Sequence, residues 1–279
     1  MAELVSCPSS GSVASLQLGD HLCLPVGSDA ERLHSTAELA ELGLRCGGKV
    51  LVVADTETPA AMAAYLSARA PGAGDALASG QLEVRAARAF LLAGGVFDPE
   101  RTMAGYLAQV DLAQEQGYPG LWIAADMAWS LPGPPDPGAL LDYEAAANPA
   151  FGGHRVAGVC IYDRTRFCPA LIEGACGAHP LTPGQAPLRF AWTTDPLGLA
   201  LSGEVDLTNH NALTALLTAL HRTPGHVTID ATGLRFADLR AADLLWGTCL
   251  TRGPGSTTVA GSSVVNRLLA LTGQGRPDA

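Results

Sequence analysis

The chain has 279 residues, 48% of them hydrophobic but only 5% aromatic, and a formal net charge of −10. That length suits two modest domains, and that apolar content calls for a globular fold with a core of Leu, Val and Ala rather than a disordered chain. The acidity argues against a nucleic-acid or anionic-membrane surface. No apolar run is long enough to span a bilayer, and residues 1–18 lack the basic start of a secretory signal, so a cytoplasmic location is expected.

Charge is unevenly spread. Residues 1–179 carry 20 acidic and 10 basic side chains, and residues 180–279 carry 7 of each. Two modules with different partners would produce this split. The seven cysteines are an odd number and, without an export signal, read as reduced thiols.

In chain order, residues 1–15 read as a loose tail and 21–26 as a short strand. Residues 29–45 form a helix that Ser28 can cap, with Leu33, Ala37, Ala40 and Leu44 on one face. A buried strand at 50–54 closes on Asp55. A helix at 58–69 has Pro59 in its first turn. A strand follows at 81–85 and a helix at 98–117, again with Pro near its start. A buried strand at 121–125 closes on Asp126, a helix covers 137–148, and a strand at 155–162 closes on Asp163. Alternating strands and helices predict an α/β fold with a parallel sheet covered on both faces. A Pro/Gly linker at 182–187 leads to a smaller module: strands at 188–193 and 197–203, a helix at 209–221, a strand at 226–230, a helix at 239–251, a strand at 256–260 and a helix at 262–271. In this module the apolar strand ends at Asp230 and a Gly turn follows.

Gly43-Leu44-Arg45-Cys46-Gly47-Gly48-Lys49-Val50 nearly matches the phosphate-loop pattern G-x-x-x-x-G-K-[ST], but Val50 cannot ligate magnesium. The segment also closes a helix and opens a strand, the reverse of the required context. It reads as a Gly cap and turn. The strand-to-helix junction at Gly27-Ser28-Asp29-Ala30-Glu31-Arg32 has the right context but places two carboxylates at the helix start, which repel a triphosphate. No nucleotide is expected, and no ATPase activity.

Gly19-Asp20-His21, Ser28 to Arg32, Ser79-Gly80-Gln81-Leu82, Phe97-Asp98-Pro99-Glu100-Arg101, Asp126-Met127-Ala128-Trp129, Tyr143-Glu144 and Cys160-Ile161-Tyr162-Asp163, taken in order, resemble the MEDS domain, a sensory domain of methanogens and methylotrophs. The resemblance spans about residues 15–181. It implies a RecA/KaiC-like fold without the phosphate loop, and a role in sensing small molecules such as hydrocarbon derivatives.

In parallel α/β sheets the ligand crevice lies at the carboxyl ends of the strands. Asp55, Asp126 and Asp163 each follow an apolar strand, with Trp129 and Tyr162 beside them. Either these groups bind a polar or cationic small molecule or a metal, or each Asp only caps the turn after its strand. His21, Cys160, Cys176 and His179 are the soft-ligand candidates. Cys176 and His179 are the only close pair, no C-x-x-C occurs, and the intervals form no zinc-ribbon pattern. The MEDS resemblance adds weight to His21 and Cys160. A buried Cys160 otherwise serves as a small hydrophobe, and His21 otherwise bonds to backbone. No cofactor is named by any motif. Nucleophilic catalysis lacks a G-x-S-x-G elbow; Asp126 and Glu144 could converge for carboxylate chemistry.

Gly203-Glu204-Val205-Asp206-Leu207 and residues 229–246 resemble the STAS domain of anti-sigma factor antagonists, over about residues 188–273. In that family the turn before the helix reads Asp-Ser-Ser/Thr-Gly, and its second hydroxyl is phosphorylated by a partner kinase. Here it reads Asp238-Leu239-Arg240-Ala241, so the acceptor is missing. The resemblance implies docking through Asp206, Asp238, Leu239 and Arg240 to a protein such as an anti-sigma factor or another STAS protein, with a homodimer also possible. Two functions compete: a regulator whose first domain senses a small molecule, or a metal- or cofactor-binding enzyme built on the ATPase-like fold.

Overall fold

The computed structural model describes residues 12–92, 97–131 and 136–271. The predicted tail at 1–15 falls mostly outside them, although Val13, in a short 3-10 turn, is buried in the core.

The first unit holds five parallel strands: β1 (His21–Val26), β2 (Lys49–Ala54), β3 (Leu82–Ala86), β4 (Leu121–Asp126) and β5 (Val156–Asp163). Their order across the sheet is β1-β5-β4-β2-β3. β2, β4 and β5 are buried along nearly their whole length, as parallel strands covered on both faces must be. The helices are α1 (Asp29–Arg45), α2 (Pro59–Arg69), α3 (Ala73–Ser79), α4 (Ala87–Leu91), α5 (Pro99–Glu115), α6 (Pro137–Ala147) and α7 (Pro169–Ala178). Local chemistry starts several of them. Ser28, Thr58 and Asp98 each accept a backbone N–H of the first turn, and Pro59 and Pro99 supply a preset φ. In α1 the Glu31 carboxylate also accepts the Gly27 N–H at 2.7 Å, a reciprocal cap that ties the strand-to-helix junction shut. Gly47 and Gly48 end α1 and lead into β2, the cap-and-turn geometry expected of that segment.

The pleat divides the sheet into two faces. Leu22, Val50, Val52, Trp122, Ala124, Val159 and Ile161 meet α1, α2 and α3 in one core. Cys23, Leu51, Val53, Ile123, Ala125 and Tyr162 meet α4, α5, α6 and α7 in the other.

The second unit is a four-stranded mixed sheet in the order β6-β7-β8-β9, built from β6 (Leu188–Thr194), β7 (Leu197–Val205), β8 (Val227–Ala237) and β9 (Thr257–Gly261). β6 and β7 form an antiparallel hairpin and the other pairings are parallel. Its helices are α8 (His210–His221), α9 (Leu239–Arg252) and α10 (Ser263–Leu271). The Gly turn expected after Asp230 is absent. β8 runs on to Ala237 because it bulges twice, fitting an extra residue opposite Ala200–Ser202 and another opposite Gly203–Glu204 of β7. Gly233 is the pivot: a Cβ there would come within 2.8 Å of the Leu201 carbonyl.

The linker at 182–187 carries no helix or strand and is tied down at both ends. Leu181 pairs along the free edge of β1, and the Leu188 N–H bonds to the Pro180 carbonyl. The units are also fused through packing. The α4–α7 face of the first sheet and the core of the second form one continuous apolar cluster. A 3-10 segment, Asn148–Gly153, lies at the seam, where the Trp192 indole donates to the Pro149 carbonyl at 2.7 Å. A Cβ on Gly152 would meet the Trp192 ring at 2.6 Å. Beside it, Arg189 forms a two-pronged pair with Asp20, at 2.9 and 3.0 Å. No helix among the described residues is long and apolar enough to cross a membrane.

Candidate functional site

On the α4–α7 face, β1 and β5 bring His21 and Cys160 together. His21 lies opposite Gly158 in the ladder, and Cys160 is the next residue on that face. Gly158 leaves the room: a Cβ there would approach Phe151 to 3.0 Å. The His21 ring instead stacks on Phe151, with centroids 4.2 Å apart and planes 12° from parallel. α6 adds Glu144 and the residue after α7 adds His179. The Cys160 sulfur lies 3.5 Å from His21 Nε2 and 3.6 Å from Glu144 Oε2. Glu144 Oε2 is 3.5 Å from His179 Nε2 and 3.9 Å from His21 Nε2. One ligand-type atom from each of the four side chains lies within 4.8 Å of the others. His21, Glu144 and His179 are buried and Cys160 is partly buried.

The neighbours fix the tautomers. His179 Nδ1 lies 2.7 Å from the Ala175 carbonyl, which can only accept, so Nδ1 carries the proton. Asn148 Nδ2 donates to the Ala178 carbonyl, which turns its Oδ1 toward His21 Nδ1 at 2.8 Å. His21 Nδ1 is therefore protonated too. Both Nε2 lone pairs are left toward Glu144, and His179 Nε2 makes no hydrogen bond. On the far side of the carboxylate, the Tyr162 hydroxyl donates to Oε1 at 2.6 Å. Burial, then the neighbouring His179, lowers the His21 pKa to about 3, and burial lowers that of His179 to about 4. Both rings are neutral near pH 7. Burial also pushes Glu144 up and Cys160 well up, the latter helped by Glu144.

Above this cluster is a cavity of about 60 Å³. It is walled by α5 (Met103, Tyr106, Val110), by Ile123 and Ala125 of β4, and by Trp129, with His21, Glu144 and Cys160 at its polar end. The buried Trp129 indole N–H makes no hydrogen bond, so the wall carries one unused donor.

The seven residues expected to bind ligand therefore divide. His21, Trp129 and Cys160 line the cavity, and Tyr162 supports Glu144 from behind. Asp55, Asp126 and Asp163 lie elsewhere. Asp126 accepts the Thr56 and Ala128 N–H groups, each at 3.0 Å, and lies 3.7 Å from Arg32. Asp55 pairs with Arg88 at 3.3 Å, and Asp163 accepts from Thr165. The pleat explains the split: Asp126 and Asp163 point to the α1 face, Cys160 and Tyr162 to the other. Asp126 and Glu144 for the same reason do not meet. The cavity lies over the sheet rather than beyond its strand ends. The Cys176–His179 pair also separates, with the Cys176 sulfur 3.9 Å from that of Cys23.

In the second unit, Asp206 and Asp238 are held within the fold. Asp206 accepts from Thr208, and Asp238 caps α9 at the Ala241 N–H while pairing with His210 at 2.9 Å. Leu239 and Arg240 are exposed, beside exposed Leu207 and Phe236.

The fold and site define an α/β domain in which a buried set of metal-ligand-type side chains closes one end of an apolar cavity. The family model for the MEthanogen/methylotroph, DcmR Sensory domain (MEDS) matches residues 20–180, more than half of the chain, and the chain belongs to this family. A sensory domain implies a signalling or regulatory role. No curated protein matches the chain. Among solved structures, the flagellar accessory protein FlaH from Methanocaldococcus jannaschii is similar at 10% identity, over 71% of this chain and 82% of that one, with a TM-score of 0.44.

Proposed function

We propose that the chain is a regulator in which the cavity of the MEDS unit takes a small, mainly apolar molecule with one polar end, and the second unit passes that state to a protein partner. The apolar cavity ending on His21, Glu144 and Cys160 carries this reading. Its volume of about 60 Å³ is several times the roughly 10–15 Å³ that one water needs, which suits a ligand of a few heavy atoms. Support for coupling comes from the same elements. Glu144 lies on α6, and the 3-10 segment after it stacks Phe151 on His21 and meets Trp192 of the second unit. A ligand that moves α6 would press directly on the seam.

For the second unit the proposed descent is STAS-like, with Leu239 and Arg240 at its docking surface and an anti-sigma factor or another STAS protein as the partner class. Opposite-sign Arg240 at the acceptor position makes kinase switching there obsolete. Thr248, the hydroxyl nearest in sequence on α9, is buried and bonded to the Leu244 carbonyl. Incubation with Ser/Thr kinases followed by mass spectrometry is expected to find no phosphate within residues 238–248. Phosphate there would overturn this part of the reading.

Ligand binding is tested by thermal shift of the full chain with one- to four-carbon alcohols and haloalkanes. A saturable rise in Tm is expected, and Ala147→Leu, which fills the cavity wall, is expected to abolish it. No saturable rise with any probe, or an unchanged rise in the filled variant, would refute ligand entry at this cavity.

A further inference from the structure

We propose that His21, Glu144, Cys160 and His179 bind one divalent transition-metal ion of the zinc class. Three observations lead there. The first is geometric. Tetrahedral zinc with nitrogen, oxygen and sulfur ligands has bonds of roughly 2.0–2.3 Å, which places neighbouring donors about 3.3–3.8 Å apart. Four of the six donor separations in the cluster are 3.5, 3.6, 3.5 and 3.9 Å, and all six lie within 4.8 Å, so loading needs only a small inward shift of His179.

The second is a proton count. Three acceptors converge: the Nε2 lone pairs of His21 and His179, and Glu144 Oε2. The one proton among these atoms that chemistry obliges is the Cys160 thiol's, and it can serve one acceptor at a time. His179 Nε2 is left without a hydrogen bond in a fully buried ring, and this shortage is what a cation relieves. The third is the outer layer. Each histidine gives its Nδ1–H to a carbonyl oxygen, and the carboxylate is held by Tyr162. This arrangement orients imidazoles for metal binding through Nε2.

Charge also balances. One thiolate and one carboxylate neutralise a divalent ion, and two neutral imidazoles add none, so the loaded site is uncharged where a net charge would be costly. Mixed nitrogen, oxygen and sulfur donors favour zinc, cobalt or ferrous iron over magnesium or calcium. Binding releases the Cys160 proton to solvent. The proposal does not depend on ligand entry at the cavity.

The test is metal analysis of the full chain purified without chelator, followed by growth in cobalt-supplemented medium. About one equivalent of metal per chain is expected, with a thiolate-to-cobalt charge-transfer band in the near ultraviolet. Cys160→Ser is expected to remove that band, His179→Ala to lower retained metal at least tenfold, and Cys168→Ser, at an exposed site outside the cluster, to change neither. Because the first two variants could misfold, the wild-type cobalt spectrum stands as an independent readout. Wild-type protein that holds no stoichiometric metal, or cobalt-loaded protein without the thiolate band, would overturn the proposal, as would folded C160S that keeps the band.

Discussion

The two faces of the first sheet each bury a polar cluster, and the clusters differ in kind. On the α1 face, Arg32 is buried and donates to Glu57 and Asp29, with Asp126 at 3.7 Å and its carboxylate also holding two backbone N–H groups. Charge there is matched by charge, from buried Asp126 to Asp29 at the surface. On the opposite face, Glu144 is as deeply buried, yet the ionisable bases that reach it are two neutral imidazoles, and one of those makes no hydrogen bond through its free nitrogen. An isolated ion in such a place costs several kcal/mol. The first cluster matches its charges, although Arg32 Nε makes no hydrogen bond, and serves the fold. The second lacks a cation to match its carboxylate, as the proposed metal site requires.

Breaking the charge-matched cluster gives the largest stability effect. Arg32→Met leaves Asp126 without its cation and is expected to cost about 3–5 kcal/mol in urea denaturation; a loss below 1 kcal/mol would place the two clusters on the same footing. Crowding the incomplete cluster comes next. Gly158→Ala pushes on Phe151 and the His21 ring stacked on it, and about 1–3 kcal/mol of overpacking is expected, together with weaker metal retention. At the seam, Gly152→Val collides with Trp192. It is expected to lower the Tm and to raise proteolysis at residues 179–188, measured by limited digestion. Glu144→Gln is expected to change the stability of metal-stripped protein by less than about 1 kcal/mol, because it exchanges a poorly matched acid for a neutral isostere, while the loaded protein loses its metal. A similar loss for Glu144→Gln and Arg32→Met in stripped protein would remove the contrast.

Much of the fold was legible. Apolar runs, Ser/Thr/Asp caps and N-terminal prolines located nearly every long element, and the alternation of strands and helices implied a sheet covered on both faces. Short helices such as α3, α4 and α7 were not legible: α7 is Pro-Ala-Leu-Ile-Glu-Gly-Ala-Cys-Gly-Ala, rich in small residues and without a clear apolar stripe. Missing α7 hid the placement of His179, which follows its last turn. β8 was cut short because Gly233 reads as a turn until the bulges in β8 itself are known.

The site was half legible. His21, Cys160 and His179 were named from their chemistry, and Glu144 was considered only as a possible partner of Asp126. Grouping Asp126 with Tyr162 followed the rule that ligands sit beyond strand ends. Strand parity carried the missing signal. In β4 and β5, Ala125 pairs with Cys160 and Asp126 with Ile161, so the acid shares a face with Ile161 and not with Cys160 or Tyr162. Asn148, which sets the His21 tautomer, lies 127 residues away in sequence, and no local pattern marks it.

X-ray absorption at the metal edge tests the central claim most directly. For the full chain purified without chelator, a first shell of one sulfur at about 2.3 Å and three nitrogen or oxygen atoms at about 2.0–2.2 Å is predicted. A shell of oxygen alone, or protein with no metal to measure, would contradict it.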